Sequence, residues 1–417
     1  MILGALISAY AVYLLVTYLI NRIIEISKII VKDISKVEII VASLVFIISL
    51  ITIVCFYTSS DGPYGYNNKV YDIDSLYVSK CYYAVFSCGL GFDNNLGIGG
   101  IRHPLATFIM FPIFVVSYIP IVLTSSVPWI EQCIYACINT IALILSVIIL
   151  SRIIDSKWVM LLCFVSNPFL LYMVFLEKYQ ITVMYWVLLV YLTQLKESKD
   201  KRYLMLSCGA GMMITGGVLG LNCNNDISAR ERAREYLQKI SYFFAIMIGC
   251  GRIGYIFNFL SLRAYNYDLY FDPHTSTLSF YNRLCEYLNF IESCFISLPH
   301  EVSYDDGYIH MVCIDPQNRF SIVACIIIIV LIYGIIKYNK EPYVRMCAVW
   351  MIWSVIQHSQ SSLSSTFNIC FFWTILPLSV KVINDIFRNK ILRAVIYLSV
   401  SVIMLIVNIK ELCDIYD

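Results

Sequence analysis

The sequence carries little charge. Asp, Glu, Lys and Arg together make up 14% of its 417 residues, whereas an average soluble domain carries about 25%. Hydrophobic residues make up 59% of the chain, and the mean hydropathy is +0.75. A water-soluble fold of this length could not bury so much apolar surface, so the composition excludes a soluble enzyme or a soluble regulator.

The few charges also nearly balance, since the net charge is only +2. Lys and Arg occur in short clusters and form no basic stripe, so the sequence predicts no nucleic-acid partner. Cys-x-x-Cys motifs are absent, and the His-x-x-Cys spacing of His310 and Cys313 has no second pair nearby. No metal site is therefore predicted. A bound divalent metal is compatible with the sequence, but no motif requires one.

Cysteine, by contrast, is plentiful, with 16 residues. Several lie inside apolar runs, where Cys behaves as a small hydrophobic residue. Five fall in loops that are placed outside the membrane below, namely Cys81, Cys88, Cys285, Cys294 and Cys313. Their location is compatible with a disulfide, but the sequence does not specify which residues would pair.

Apolar runs long enough to cross a bilayer recur along the chain. They lie near residues 2–20, 37–57, 129–151, 158–176, 180–195, 240–262, 320–336, 343–357, 363–385 and 392–409. Two further apolar runs differ in composition: 104–124 contains three prolines and 203–221 contains five glycines. Both compositions disfavour a straight helix.

The positions of the basic residues predict how these segments are arranged. Basic connections tend to lie on the cytoplasmic side of a membrane, and here they occur near 28–36, 152–157, 196–202, 230–239, 337–345 and 388–393. All of them share one side if 104–124 dips into the membrane from outside and returns. The segment 203–221 must then be a hairpin or re-entrant element that starts and ends inside.

This arrangement gives about ten crossings, with both termini outside. The two long outer loops are then 58–128 and 263–319. The sequence thus predicts an all-α, polytopic membrane protein with a single transmembrane domain, 1–417. Its predicted location is a cell membrane.

The first outer loop holds the richest group of chemically active side chains. Asp61, Asp72, Asp74, Arg102 and His103 all fall on the predicted outer side, next to the proline-marked apolar segment. A lipid-linked substrate needs that layout, because its headgroup stands at the water boundary while its tail stays in lipid. The alternative is ordinary loop polarity, with Asp61 in the turn before a Gly-Pro pair.

The order of these elements resembles bacterial polytopic membrane glycosyltransferases of the GT-C type. In that family a His-Pro-Leu-Phe motif typically follows the first outer loop, and a Pro-Glu-Thr-Tyr motif comes later. The corresponding residues here are His103-Pro104-Leu105-Ala106 and Leu176-Glu177-Lys178-Tyr179. The resemblance covers about residues 37–220. It depends on the order and the sidedness of the motifs, because each motif is short.

The resemblance implies a GT-C-like bundle whose first outer loop carries juxtamembrane or re-entrant helices. It also implies a bacterial plasma-membrane enzyme that transfers a hexose or pentose from a polyprenyl-phosphate donor to a glycan or lipid acceptor at the outer face. In such enzymes an acidic residue of the first loop commonly serves as general base or binds a metal.

We expect Asp74 to be the general base, with Asp72 and Asp61 as the other catalytic candidates. Asp72 is placed to cap a juxtamembrane helix through the N–H of Ser75, which leaves Asp74 free to face the substrate. Capping is also the structural alternative for either residue.

The substrate-binding candidates are Arg102, His103, Glu177, Tyr179 and Arg252. Glu177 would contact the acceptor hydroxyls or His103, or else form a simple charge pair at a helix end. Arg252 is the one basic residue well inside a predicted span, where charge is costly. It would hold the donor phosphate through paired hydrogen bonds, or it caps backbone carbonyls beside neighbouring glycines.

Two other functions are compatible with the sequence. An O-antigen-type polysaccharide polymerase would share the location and the substrates, and its expected sign is arginines in two large outer loops; Arg102, Arg263, Arg283 and Arg319 match this weakly. A glycolipid transporter or flippase would show repeated halves and several ionisable residues at the membrane midplane. Only Arg252 meets that criterion.

Overall fold

A computed structural model describes residues 2–32, 34–59, 105–106, 109–110, 112–113, 116, 128–173, 179–221, 228–250, 279–296, 301–305, 308–312, 320–360 and 371–416. The helices are α1 (Ile2–Lys32), α2 (Lys36–Ser59), α3 (Pro128–Ile154), α4 (Trp158–Val165), α5 (Asn167–Tyr172), α6 (Tyr179–Gln194), α7 (Lys199–Met212), α8 (Ala229–Gly249), α9 (Phe280–Ser293), α10 (Ile322–Lys337), α11 (Pro342–Gln360), α12 (Leu376–Ile386) and α13 (Lys390–Tyr416). Two 3₁₀ helices, Ile214–Leu221 and Trp373–Ile375, and two strands, β1 (Glu301–Asp305) and β2 (Tyr308–Val312), complete the described elements.

Within these residues, three helical segments are long and apolar enough to cross a membrane: Lys36–Cys55 in α2, Cys133–Ile154 in α3 and Lys390–Lys410 in α13. Their burial differs. In α3, 72% of the best apolar window is buried, against 17% in α2 and 22% in α13. α3 is therefore the centre of the bundle, while α2 and α13 present apolar side chains outward, as helices in contact with lipid do. The composition and these helices indicate a membrane protein; the number of about ten crossings remains a prediction.

A buried ion pair fastens α3 to the start of α2. Arg152 donates to the Glu38 carboxylate through Nε at 3.2 Å and through Nη2 at 3.3 Å, and its Nη1 donates to the carbonyl of Ile30 at 2.8 Å. Glu38 is only 7% exposed. One guanidinium thus joins the C-terminal ends of α1 and α3 to the N-terminal end of α2.

Further polar contacts join several of the other basic connections, or the helix ends beside them, at the same end. Hydrogen bonds and ion pairs link Arg22 Nε with Asp200 Oδ2 at 2.9 Å, Gln194 Nε2 with the carbonyl of Ile153 at 3.3 Å, Asn384 Nδ2 with Ser156 Oγ at 3.3 Å, Lys337 with Asp385, and Lys381 with Glu341. The connections that these contacts involve lie together at one end of the bundle, as the charge pattern predicts. We call this the basic end, and the opposite end the outer end.

The glycine-rich segment 203–221 is a hairpin, as predicted. α7 ends at Met212, and the 3₁₀ helix Ile214–Leu221 folds back along it. A Cβ placed on Gly217 would lie 3.8 Å from that of Ala210, and one on Gly220 would lie 3.1 Å from the Leu206 side chain. The small glycines therefore let the two arms pack closely, and the hairpin returns toward the basic end from which α7 starts.

The predicted span 158–176 is not one helix. α4 stops before Ser166, whose backbone is extended with ψ 148°, and α5 begins at Asn167 with Pro168 in its first turn. Proline is favoured there because its missing N–H would be unpaired in a first helical turn. The hydropathy of the segment is continuous, but this proline breaks the helix near its middle.

The segment predicted to be the second outer loop, 263–319, contains structure that the sequence analysis did not place. α9 is amphipathic, with Cys285 and Leu288 buried while Phe280 is 84% exposed. The strands β1 and β2 pair antiparallel, from Glu301↔Val312 to Asp305↔Tyr308. The bundle is all-helical as predicted, and this hairpin is the exception within the described residues. Asp306-Gly307, the two residues between the strands, is a typical hairpin turn sequence that could have revealed it.

Two of the cysteines that are compatible with an outer disulfide are not oxidised. Cys285 and Cys294 are buried and carry free thiols, and Cys294 Sγ donates to the carbonyl of Phe290 at 3.2 Å. Both residues pack inward from α9 and behave as small apolar side chains. Cys81, Cys88 and Cys313 lie outside the described residues.

Replacing Arg152 by Met is expected to destabilise the protein strongly. The change leaves the Glu38 carboxylate with only the Ser35 N–H and removes the Nη1 donor from the Ile30 carbonyl, and breaking one side of a buried ion pair costs about 3–5 kcal/mol. The double variant Glu38→Gln/Arg152→Met removes the unpaired charge, so part of the loss should return. Thermal unfolding in detergent measures both. An unchanged melting temperature for Arg152→Met would contradict the expectation.

Single cysteines test the sidedness of the two ends. In a background that lacks reactive native thiols, Arg388→Cys and Lys199→Cys at the basic end should resist a membrane-impermeant thiol reagent added to intact cells. Tyr281→Cys in α9, where the native side chain is 58% exposed, should react. Permeabilised cells provide the control, since all three positions should then be labelled. External labelling of Arg388→Cys would place the basic end outside.

Candidate functional site

The outer end of α6 is where the later of the two motifs enters the bundle. α6 begins at Tyr179 and runs to Gln194 at the basic end. Tyr179 is half-buried, and its ring meets that of Phe371 edge-on with the centroids 6.3 Å apart. Of the eight predicted site residues, Tyr179 is the one that the structure describes. It takes part in an aromatic contact here, and its role toward a substrate remains a prediction.

An aromatic cluster fixes the neighbouring part of α6. The ring of Phe371 lies 4.0 Å from that of Trp186 and 5.5 Å from that of Trp350, measured between centroids. Trp186 and Trp350 are themselves 5.1 Å apart. α6, α11 and the segment before α12 are thus joined by four aromatic side chains: Tyr179, Trp186, Trp350 and Phe371. Such contacts each add about 0.5–1.5 kcal/mol beyond burial, so they stabilise this part of the bundle.

Two polar side chains cap the end of α5, next to the connection that carries Glu177. Gln180 Nε2 donates to the carbonyl of Tyr172 at 2.9 Å, and Thr140 Oγ1 donates to that of Met173 at 3.1 Å. Both side chains are 0% exposed. The last carbonyls of a helix lack internal partners, and Tyr172 and Met173 are buried here. Gln180 and Thr140 supply the missing donors, so both flanks of the connection 174–178 are fixed.

Leu105, the third residue of the first motif, is fixed against the tip of the glycine hairpin. Its N–H donates to the carbonyl of Gly211 at 2.8 Å, and its side chain is only 1% exposed. A Cβ on Gly211 would lie 2.4 Å from Leu105 Cδ1, and a Cβ on Gly209 would lie 2.4 Å from Trp186 Nε1. The hairpin tip therefore packs between the first motif on one side and α6 on the other.

Buried amides hold the second outer loop to the same bundle. Asn167 Nδ2 donates to the carbonyl of Ser293 at 2.7 Å, while Asn408 Nδ2 donates to the carbonyls of Val165 at 2.8 Å and Phe295 at 3.2 Å. The break between α4 and α5 thus becomes the attachment point for the end of α9. These asparagines were missed in the sequence analysis, although an Asn inside an apolar run is a signal for such a role.

Charge is scarce at the outer end. Among the described residues, Glu38 is the one acidic or basic residue that is buried, and it lies at the basic end. In α9, Tyr287 shares a hydrogen bond of 3.0 Å with Ser354, and burial raises the pKa of its hydroxyl to about 12. Glu292 accepts a hydrogen bond from Ser321. The described part of the outer end therefore offers hydroxyl and amide groups rather than a free buried carboxylate.

The remaining predicted site residues lie outside the described residues. They are the catalytic candidates Asp61, Asp72 and Asp74 and the binding candidates Arg102, His103, Glu177 and Arg252. Among the residues that the structure does describe, no group of three or more His, Cys, Asp or Glu side chains could hold a metal ion.

Comparison of the chain with family models, with curated proteins and with solved structures gives no match.

Replacing Gly211 by Ala is expected to lower the yield of folded protein and its melting temperature. The new Cβ would overlap the Leu105 side chain, with 2.4 Å to its nearest atom, and such overpacking costs about 1–3 kcal/mol. Gly217→Ala is the matched control, because its Cβ meets only that of Ala210 at 3.8 Å. Thermal unfolding compares the two variants. Equal stabilities would mean that the Leu105 contact does not position the hairpin tip.

Proposed function

We propose that this chain is a membrane glycosyltransferase that moves a sugar from a polyprenyl-phosphate donor to a glycan or lipid acceptor at the outer face. The observation that supports it best is that the flanks of both motifs are fixed on one packed unit, formed by α6 and the glycine hairpin. The first motif contributes Leu105 and the second contributes Tyr179. A site assembled from two distant chain segments needs a common support of this kind.

A continuous path of contacts joins these flanks. Leu105 packs on Gly211, and Trp186 packs beside Gly209 of the same helix. Phe371 then connects Trp186 to Tyr179. In the sequence, the His of the first motif precedes Leu105 by two residues, and the Glu of the second precedes Tyr179 by two. Because two residues span at most about 7 Å of chain, the outer end around these flanks is the proposed location of the site.

The proposed chemistry explains why a polar but uncharged core is suitable at this end. Sugar transfer requires a base that accepts the proton of the acceptor hydroxyl as this attacks the anomeric carbon. A carboxylate buried in the bundle would be protonated or would need a partner. We therefore assign the base to the water-exposed first loop, with Asp74 ahead of Asp72 and Asp61. Arg102 and His103 are assigned to the donor phosphate.

A transporter is the second candidate, because one observation favours it. The segment that starts near Leu105 and the tip of the glycine hairpin near Gly211 meet inside the bundle, and interrupted helices are a feature of many transporters. Against this, the described core contains no buried ionisable residue at that meeting point. A polysaccharide polymerase remains the alternative within the same enzyme class.

The decisive experiment separates transfer from transport. The purified protein is incubated with a panel of polyprenyl-phosphate sugars and candidate acceptors, and covalent products are identified by mass spectrometry. In parallel, proteoliposomes carrying the same lipid-linked sugars are assayed for movement between leaflets. Covalent transfer of a single sugar supports the proposal. Joining of oligosaccharide repeat units supports the polymerase, and movement without covalent transfer supports the transporter.

Asp74→Asn is expected to lower turnover about a hundredfold or more while donor binding is retained. The substitution preserves the shape of the side chain and removes the base, and general-base catalysis contributes about 10²–10⁴-fold. Asp72→Asn and Asp61→Asn are the matched controls. His103→Ala tests the donor-binding role, and we expect it to abolish turnover while the yield of folded protein stays normal. Unchanged turnover in Asp74→Asn together with an inactive Asp61→Asn would transfer the role to Asp61.

A further inference from the structure

A cleft opens at the basic end of the bundle, away from the proposed catalytic site. It lies between the start of α2, the end of α3 and the end of α6, and its volume is about 390 Å³. This is within the range of about 300–1,000 Å³ that small-molecule sites occupy. The lining residues are Ser35, Glu38, Arg152, Lys157, Tyr191, Gln194 and Leu195.

The inner wall of the cleft is already organised. Glu38 accepts two hydrogen bonds from Arg152 and a third from the backbone N–H of Ser35 at 2.6 Å. The Ser35 hydroxyl accepts the N–H of Glu38 at 3.2 Å, which completes a capping box at the start of α2. The charges of Glu38 and Arg152 thus compensate each other. The wall is rigid without a ligand.

The donors that remain point to an anionic ligand. The hydroxyl of Ser35 accepts the N–H of Glu38 and also interacts with the Glu38 carboxylate, so it is engaged within the capping box. Tyr191 also lines the cleft, and its hydroxyl is a hydrogen-bond donor. Lys157 is exposed and has no carboxylate partner among the described residues. Because Glu38 neutralises Arg152, the lining carries one net positive charge, which suits a singly charged phosphodiester.

The surface beside the cleft is apolar and faces outward. Leu195 lines the cleft and is 45% exposed, and the first turn of α2 presents Val37 at 49%, Ile39 at 52% and Ile40 at 58%. α2 is one of the helices with the least buried apolar surface, as expected for lipid contact. A ligand with a phosphate head and an apolar tail would therefore find complementary surface for both parts.

We propose that this cleft binds the phosphodiester headgroup of an anionic phospholipid from the leaflet at the basic end. The headgroup oxygens accept hydrogen bonds from Lys157 and Tyr191, while an acyl chain lies along the apolar face of α2. Basic pockets between membrane helices on the cytoplasmic side are suited to such headgroups. This proposal is independent of the glycosyltransferase activity.

Lipid titration followed by native mass spectrometry tests it. The full-length, delipidated protein is titrated with phosphatidylglycerol, with phosphatidylcholine and with inorganic phosphate. Phosphatidylglycerol should bind at least tenfold more tightly than phosphatidylcholine. Lys157→Gln should weaken its binding about tenfold, as expected for loss of a charge-assisted hydrogen bond. Lys199→Gln, which changes an exposed lysine of the same end outside the lining, should leave binding unchanged.

Three results would overturn the proposal. Equal binding of the two phospholipids would show that the headgroup charge is not recognised. Equal weakening by Lys157→Gln and Lys199→Gln would indicate general attraction to a basic surface rather than a site. Displacement of phosphatidylglycerol by millimolar inorganic phosphate would show that the cleft binds a soluble phosphate compound. The melting temperature of Lys157→Gln should match that of the unchanged protein, which confirms that folding is unaffected.

Discussion

The need to pair every backbone polar group determines how this bundle is built. Lipid offers no hydrogen bonds, so each place where a helix breaks or ends inside the membrane needs a partner from the protein itself. The end of α5 is served by Gln180 and Thr140, and the break before it by Asn408. The carbonyl of Gly211 receives the N–H of Leu105. Every break is therefore also a point of attachment to another segment, and the packing of distant elements follows from these local requirements.

Glycine determines which of these attachments are geometrically feasible. Gly209 and Gly211 lie on different faces of α7, and each leaves space that a neighbour fills, Trp186 in one case and Leu105 in the other. Any larger residue would separate the first motif from α6. The glycines that disfavour a straight span thus make close packing possible. It allows three segments to approach each other within the bundle.

Much of the fold could be predicted from the sequence, because hydropathy and charge act over whole segments. The apolar runs predicted α2, α3 and α6 closely, and the basic clusters predicted which connections lie together. The hairpin at 203–221 followed from charge parity and its glycines. The break at Ser166 could not be predicted in this way, because Ser166 and Asn167 lie in an otherwise apolar run and hydropathy averages over them. The strand pair was missed because its turn signal, Asp306-Gly307, is short.

For the predicted site, too, some residues could be recognised from the sequence and others could not. The sequence indicated charged residues in loops, whereas the described structure shows uncharged side chains that join the helices. Buried Asn, Gln and Thr side chains do not stand out in a composition, although one of them, Gln180, directly follows the second motif. Their importance appears only when the carbonyls that they pair with are known. Charged residues in loops and buried amides that pair with backbone carbonyls are thus different kinds of feature, and the sequence reveals the first kind more readily than the second.

The distribution of charge between the two ends has a physical reason that bears on function. Bringing an ionised group into a helix bundle costs several kcal/mol unless it is paired, and Glu38 with Arg152 satisfies that condition at the basic end. At the outer end the described core offers only neutral groups, so charged residues there must stand where water can reach them. A reaction on a lipid-linked phosphate sugar takes place at that same boundary, because the phosphate stays hydrated while the tail stays in lipid. Under the proposed function, a neutral packed core suits this substrate class, because the charged groups that contact the phosphate would come from the loops.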